Sequence, residues 1–151
     1  MRRAEAEATV ELAPEAARRL WTDVSRWPSF VEGFAHVVEV SSEWPGDGAK
    51  LIWQSGPSGR GRVTERVLES GSEHFATEVY EDALVGTQTL TFAEVAEGTR
   101  VALALDYELS RYGPLRALAD AIFIRRALRD SLRRTLRRFA IEASEEARLP
   151  R

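Results

Sequence analysis

The stretch RGRVTERVLE, residues 60–69, places a cation where chemistry would want one. Arg66 sits in mid-run, with Arg62 and Thr64 on its own side and Val63 and Val67 on the other, because successive side chains of a strand point to opposite faces. Two arrangements follow. If the valines face the core, Arg66 is a surface residue that pairs with neighbouring glutamates. If the threonine side faces inward, Arg66 is a cation inside the fold, able to hold a carboxylate, a phenolate or a developing enolate. Gln88 shares a face with Leu90 and Phe92, so it is a polar group in an apolar wall. Tyr107 shares a face with Leu103 and Leu105, and its hydroxyl either packs in the core or meets a ligand. At about 100° per residue, Arg125 and Arg129 fall among Leu118, Ile122, Leu132 and Leu136. They either snorkel outward or border a cavity mouth, where Arg125 would meet the anionic end of a ligand.

Other chemistries find less to work with. His36 and His74 are far apart in expected strands and make no metal spacing with carboxylates. The chain has no cysteine, which excludes a disulfide framework, a thiolate metal site and a thiol nucleophile. No GxSxG motif occurs, and Gly56, Gly59 and Gly61 surround Pro57 in a turn with no helix behind it, so they cradle no phosphate. Neither a metal nor a cofactor is expected. Trp27, Trp44 and Trp53 are wall or rim aromatics, and Phe34, Phe75 and Ile122 complete the expected lining. Phe123 and Ile124 point away from the apolar stripe of their helix and suggest a homodimer contact or a membrane-touching lip.

The elements that must position these residues are readable in order. Residues 4–12 alternate Ala4, Ala6, Ala8, Val10 and Leu12 with Glu5, Glu7, Thr9 and Glu11, which is a strand with one wet face. Pro14 opens a short helix with Ala16, Ala17, Leu20, Trp21 and Val24 inward. Ser25 is read as the N-cap of a second short helical turn over 26–32, stopped by Gly33. Strands follow over 34–43, 49–55, 60–69, 73–80, 84–95 and 99–109, separated by hairpin-length turns, as in an antiparallel meander. From Pro114 to about Ala147 there is no Gly or Pro after the first proline, and Ala, Leu, Arg and Glu dominate, so one long helix is expected. Helices segregated on one side of an antiparallel sheet make an α+β two-layer fold. A twisted seven-stranded sheet must curl to grip so long a helix.

Bulk properties agree with one globular domain spanning 1–151. The hydrophobic fraction is 44% and the charged fraction 30%. No apolar run reaches the roughly 18 residues of a membrane span, and MRRAEAEATVEL lacks the apolar core of a signal peptide, so a cytoplasmic protein is expected. The net charge is −3, yet nine arginines lie between Arg111 and Arg138 against Asp120 and Asp130. That basic helix face reads either as solvated surface or as a contact for an anionic partner such as a lipid headgroup, nucleic acid or an acidic ligand; without interleaved aromatics it does not suggest single-strand nucleic-acid binding, and no nucleic-acid partner is expected. The single lysine, Lys50, against twenty arginines fits the codon bias of a GC-rich bacterium.

The element order, DVSRWPSFVEGF at 23–34 and YELSRYGPLRALADAIFIRRALRDSLRRTLRRF at 107–139 together resemble the polyketide cyclase/dehydrase branch of the START-like (SRPBCC, Bet v 1-like) helix-grip superfamily. The resemblance implies a curved seven-stranded antiparallel sheet wrapped around the C-terminal helix, with a cavity between them. It also implies a hydrophobic ligand such as a lipid, an isoprenoid or quinone, or a polyketide. Aromatase/cyclases of this superfamily carry a Trp in the short-helix turn, here Trp27, and a hydroxyl residue and an Arg two apart on a central strand, here Thr64 and Arg66. Two functions are therefore expected in competition, ahead of a third, a regulatory or interaction protein that uses the Arg-rich helix face as its surface. One is hydrophobic small-molecule binding, with peripheral membrane contact. The other is cyclisation or dehydration of a poly-β-ketone, with Arg66 stabilising an enolate and Thr64, Tyr107 or water moving protons.

Overall fold

The computed structural model describes residues 2–57, 59–109 and 117–150, with side chains of the last segment from 122 onward. Its order is β1 (Arg2–Val10), α1 (Pro14–Thr22), a 3-10 turn (Val24–Arg26), α2 (Trp27–Phe30), β2 (Phe34–Val40), β3 (Lys50–Ser55), β4 (Arg62–Ser70), β5 (His74–Glu81), β6 (Leu84–Val95), β7 (Gly98–Leu109) and α3 (Ala117–Ala147). The strands form a single antiparallel seven-stranded sheet in the order β1-β7-β6-β5-β4-β3-β2. This is the expected helix-grip α+β architecture. The expected start of the long helix at Pro114 lies outside the described residues.

Period-two burial shows which face grips the helix. Leu51 and Trp53 of β3, Val63 and Val67 of β4, Phe75 and Val79 of β5, Leu90 and Phe92 of β6, and Val101, Leu103, Leu105 and Tyr107 of β7 are all buried on the inner side. The register shifts once between Val67 and Glu69 in β4 and twice in β2. Such bulges bend a strand and increase its twist. Gly86 of β6 stands opposite Tyr107 of β7, where a Cβ would lie 2.4 Å from the Asp106 carbonyl oxygen and 3.1 Å from the Tyr107 Cβ. The neighbouring strand's backbone takes the room that a side chain at 86 would need.

The short helices are capped differently from expectation. Asp23, not Ser25, caps the 3-10 turn: its Oδ1 accepts from the Ser25 backbone N–H at 3.2 Å and from the Ser25 hydroxyl at 2.6 Å, while α2 has Arg26 at its N-cap position and no side-chain cap bond. The preceding helix has just ended at Thr22, so the chain turns on the aspartate, and α2 shrinks to Trp27–Phe30. α3 closes the inner face with Leu132, Thr135, Leu136, Phe139 and Ala143, all buried at three- and four-residue spacing. Phe139 meets Trp21 at 5.2 Å and Phe30 at 5.0 Å between ring centroids, edge-on in each case. Arg26 adds ion pairs to Glu142 at 2.9 Å and to Glu146 at 3.0 Å, fastening the short-helix turn to the C-terminal half of α3.

Removing the Phe139 ring should therefore cost far more than removing the ring of Phe123, which is 74% exposed. Chemical denaturation should show Phe139→Ala losing about 3–5 kcal/mol and Phe123→Ala staying within about 0.5 kcal/mol of the parent.

Candidate functional site

Among the described residues, the apolar inner wall is interrupted by one buried carboxyl. Glu65 lies between Val63 and Val67 on β4, and the alternation that buries the two valines buries it as well, to 4% exposure. Its Oε2 accepts from the Trp53 indole Nε1–H at 2.8 Å and its Oε1 from the Thr77 hydroxyl at 3.0 Å. Burial pushes the pKa of this carboxyl up; the bond from Trp53, the charge of Arg60 and the bond from Thr77 oppose that rise without cancelling it. Arg60, on the β3–β4 hairpin, stacks its guanidinium 5.4 Å from the Trp53 ring centroid and pairs with Glu81 of β5. The cation nearest this region is thus already committed to a different carboxylate.

Glu65 lines a small chamber together with Trp21, Trp27, Trp53, Gln88, Leu103, Leu132 and Thr135. Its volume is about 30 Å³, room for one group of the size of a water molecule. Trp27 donates its indole N–H to the Trp21 carbonyl at 2.7 Å. The Trp21 indole N–H is buried and has no acceptor among the described residues.

Beside the chamber lies a wider cleft of about 430 Å³ between α3 and the β3–β4 hairpin, within the size range of small-molecule sites. Gly33, Ser55 and Gly59 form one bank; Ile124, Ala127, Leu128 and Arg134 of α3 form the other. Glu32, Arg60 and Ser131 line both spaces and stand at the boundary between them. Gly33, with φ +76°, ends the short-helix turn and leaves this bank without a side chain. Glu32 pairs with Arg134, and its backbone N–H donates to the Thr135 hydroxyl at 3.1 Å. Burial alone would raise the Glu32 pKa. Hydrogen bonds from Arg134 and Ser131 and the charges of Arg134 and Arg138 outweigh it and hold the carboxyl below its usual range. A further hollow of about 350 Å³ lies on the outer sheet face among Arg3, Glu5, Glu7, Thr89 and Thr91. It shares no polar lining with the chamber beside Glu65, so the site is assigned to the cleft and its chamber.

Of the residues expected to line the site, Trp27, Trp53 and Gln88 do line the chamber. Phe34 and Phe75 stand behind it: Phe34 packs 5.5 Å from Trp53, and Phe75 packs 5.7 Å from Trp44. Tyr107 is fully buried and lines neither space. Its hydroxyl has no partner among the described residues, and burial raises its pKa against the nearby charges of Arg2 and Arg125.

Arg66 is exposed on the outer face with Thr64, because the valines turn inward, so neither residue reaches the cavity. Ile122 is 55% exposed, and Arg125 and Arg129 face solvent. The buried stripe runs instead through Ile124, Leu128, Leu132 and Leu136, each one helical turn from the next, which leaves Ile122 and Arg125 on its flanks. Ile124, expected to point outward, is a cleft residue. Glu65 and Arg60 are site residues that the sequence reading misses. The signal for Glu65 is present, since it occupies the position between two valines on the face they share.

Among the described residues no group of three or more His, Asp or Glu could hold a metal ion, and no helix is long and apolar enough to cross a membrane.

Residues 1–143 match the family model described as polyketide cyclase/dehydrase and lipid transport. No curated protein matches the chain. Among solved structures, TTHA0849 from Thermus thermophilus superposes with a TM-score of 0.80 at 20% identity, covering 98% of this chain and 100% of that one. The Zhui aromatase/cyclase from a Streptomyces species gives 0.70 at 17% identity, covering 97% and 96%. A norcoclaurine synthase from Thalictrum flavum, solved with a transition-state analogue, gives 0.71 at 11% identity, covering 97% and 96%. At these identities the likeness is one of fold.

The buried carboxyl makes a testable demand on stability. A carboxyl whose folded pKa lies above its unfolded value of roughly 4.3 contributes in full below that value and loses its contribution as pH rises through the folded pKa. Glu32 has the opposite sign: its contribution is present above its unfolded value and is lost on acidification. Subtracting Glu65→Gln from the parent isolates Glu65, because Glu32 is common to both. The unfolding free-energy difference should move against the parent as pH climbs from about 4 to about 8. A pH-independent difference would show that Glu65 ionises in the folded chain as freely as in the unfolded one.

Proposed function

The chain belongs to the polyketide cyclase/dehydrase and lipid-transport family, and from that premise we propose that it binds a hydrophobic small molecule. The apolar body lies in the cleft between α3 and the β3–β4 hairpin, and one end enters the chamber beside Glu65. The observation that supports this reading is that the two spaces adjoin, with Glu32, Arg60 and Ser131 lining both. Ile124, Ala127 and Leu128 supply an apolar bank, and a few polar groups wait at the inner end, the usual division of labour in small-molecule sites.

Cyclisation of a poly-β-ketone is the competing reading, and it draws support from the family description and from the likeness to an aromatase/cyclase. Such a reaction needs a fixed donor or cation at the oxygen where charge develops. Arg66 lies on the outer face and Arg60 is paired with Glu81. That arrangement favours a carrier over a cyclase that works through an arginine.

N-phenyl-1-naphthylamine, an uncharged apolar fluorophore, should bind saturably at about one equivalent with a dissociation constant in the micromolar range. Ala127→Trp, which fills the cleft from an exposed helix position, should weaken binding at least about tenfold. Arg66→Ala should leave it within about twofold. Absence of saturable binding to the parent, or an affinity indifferent to Ala127→Trp, would refute the proposed site.

A further inference from the structure

The chamber at the inner end of the cleft has its own hydrogen-bonding specification. Trp21 is 3% exposed, its indole N–H finds no acceptor among the described residues, and it lines the chamber. A buried donor without an acceptor is an uncommon state that a bound group would relieve. On the same wall, each Glu65 oxygen accepts one hydrogen bond, from Trp53 or from Thr77. A carboxyl oxygen has capacity for two, so acceptor capacity is left over. The Gln88 amide, which offers both a donor and an acceptor, shares the space.

Resting on the binding reading above, we infer that the chamber takes one uncharged hydroxyl, so that the ligand is an apolar molecule ending in an alcohol or a phenol. Its oxygen accepts from Trp21 and its proton goes to Glu65. The volume of about 30 Å³ admits a group of that size and little more.

Other head groups fit less well. A carboxylate brings no donor for an ionised Glu65, and its two oxygens exceed the single group for which the chamber has room. An ammonium brings no acceptor, leaves the Trp21 N–H unmet and lies near Arg60, which lines the same chamber. A bare hydrocarbon satisfies neither partner. The hydroxyl is served whichever form Glu65 takes. With Glu65 ionised, the hydroxyl donates to it; with Glu65 protonated, it accepts from the acid and donates to the Gln88 amide oxygen.

Four probes that share one apolar body separate these cases: naphthalene, 2-naphthol, 2-naphthoate and 2-naphthylmethylammonium, titrated against the full chain near neutral pH with tryptophan fluorescence as the readout. 2-Naphthol should bind at least about tenfold more tightly than naphthalene, and the two charged probes should fall below 2-naphthol. Trp21→Phe and Glu65→Leu should each cut the naphthol-to-naphthalene ratio to under about threefold, whereas Arg66→Ala should preserve it. If Glu65→Leu fails to fold, Trp21→Phe and the parent ratio decide. Naphthalene and 2-naphthol binding equally well would overturn the hydroxyl inference and leave the binding site standing, and so would a preference for either charged probe. Failure of all four to bind would take down the inference and the binding reading together.

Discussion

The structure depends on how unevenly one helix covers one sheet. The C-terminal half of α3 is sealed: Leu132, Leu136, Phe139 and Ala143 are buried, Phe139 is wedged edge-on between Trp21 and Phe30, and Arg26 reaches Glu142 and Glu146. Toward its N-terminal end the same helix presents Ile124 and Leu128, which are only half-buried, and Ala127, which is exposed. A curled sheet cannot hug a straight rod along its whole length. The gap appears where the apolar stripe thins, opposite the β3–β4 hairpin, and the cleft is that gap.

Strand alternation then brings polar chemistry to the bottom of the gap. Val63 and Val67 must face the helix, so Glu65 between them must too. Taking a carboxyl out of water is costly unless its oxygens are bonded, and Trp53 and Thr77 meet that requirement from the two neighbouring strands. Trp53 cannot turn away without leaving the Glu65 Oε2 unbonded, and Arg60 lies against its ring. One buried group thereby orders the indole, the hairpin cation and the chamber wall. At the boundary between chamber and cleft Glu32 is held by Arg134 and Ser131, so each charged residue that frames the opening is tied to a partner of its own.

Much of the architecture is legible in the sequence because it rests on local periodicity. The strict alternation of Val101, Leu103, Leu105 and Tyr107 specifies β7, and turn residues mark the hairpins. The site is less legible. The pair Thr64 and Arg66 draws attention for its chemistry, but a strand shows one set of side chains to the core, and two valines outweigh a threonine and an arginine there. Following that choice through places Glu65 inside. Phasing the helical stripe on Leu118 puts Ile122 in it and Ile124 outside; the four-residue row through Leu128 fixes the phase instead. Asp23 replaces Ser25 as the cap because the end of α1 at Thr22 puts the aspartate at the turn. The role of Arg60 depends on Glu81 and Trp53, residues brought together only by strand register, which no local pattern reveals.

The four indole N–H groups offer the most direct test that the interior space is where a ligand goes. Those of Trp27, Trp44 and Trp53 donate to Trp21, Thr22 and Glu65 respectively, and that of Trp21 has no partner among the described residues. In a nitrogen–proton correlation spectrum, titration with an apolar ligand should shift the Trp21 and Trp53 indole signals along one saturating curve and leave Trp44, which lines neither space, nearly unmoved. Saturation that leaves Trp21 and Trp53 in place, or that moves Trp44 alone, would put the ligand elsewhere and contradict the account.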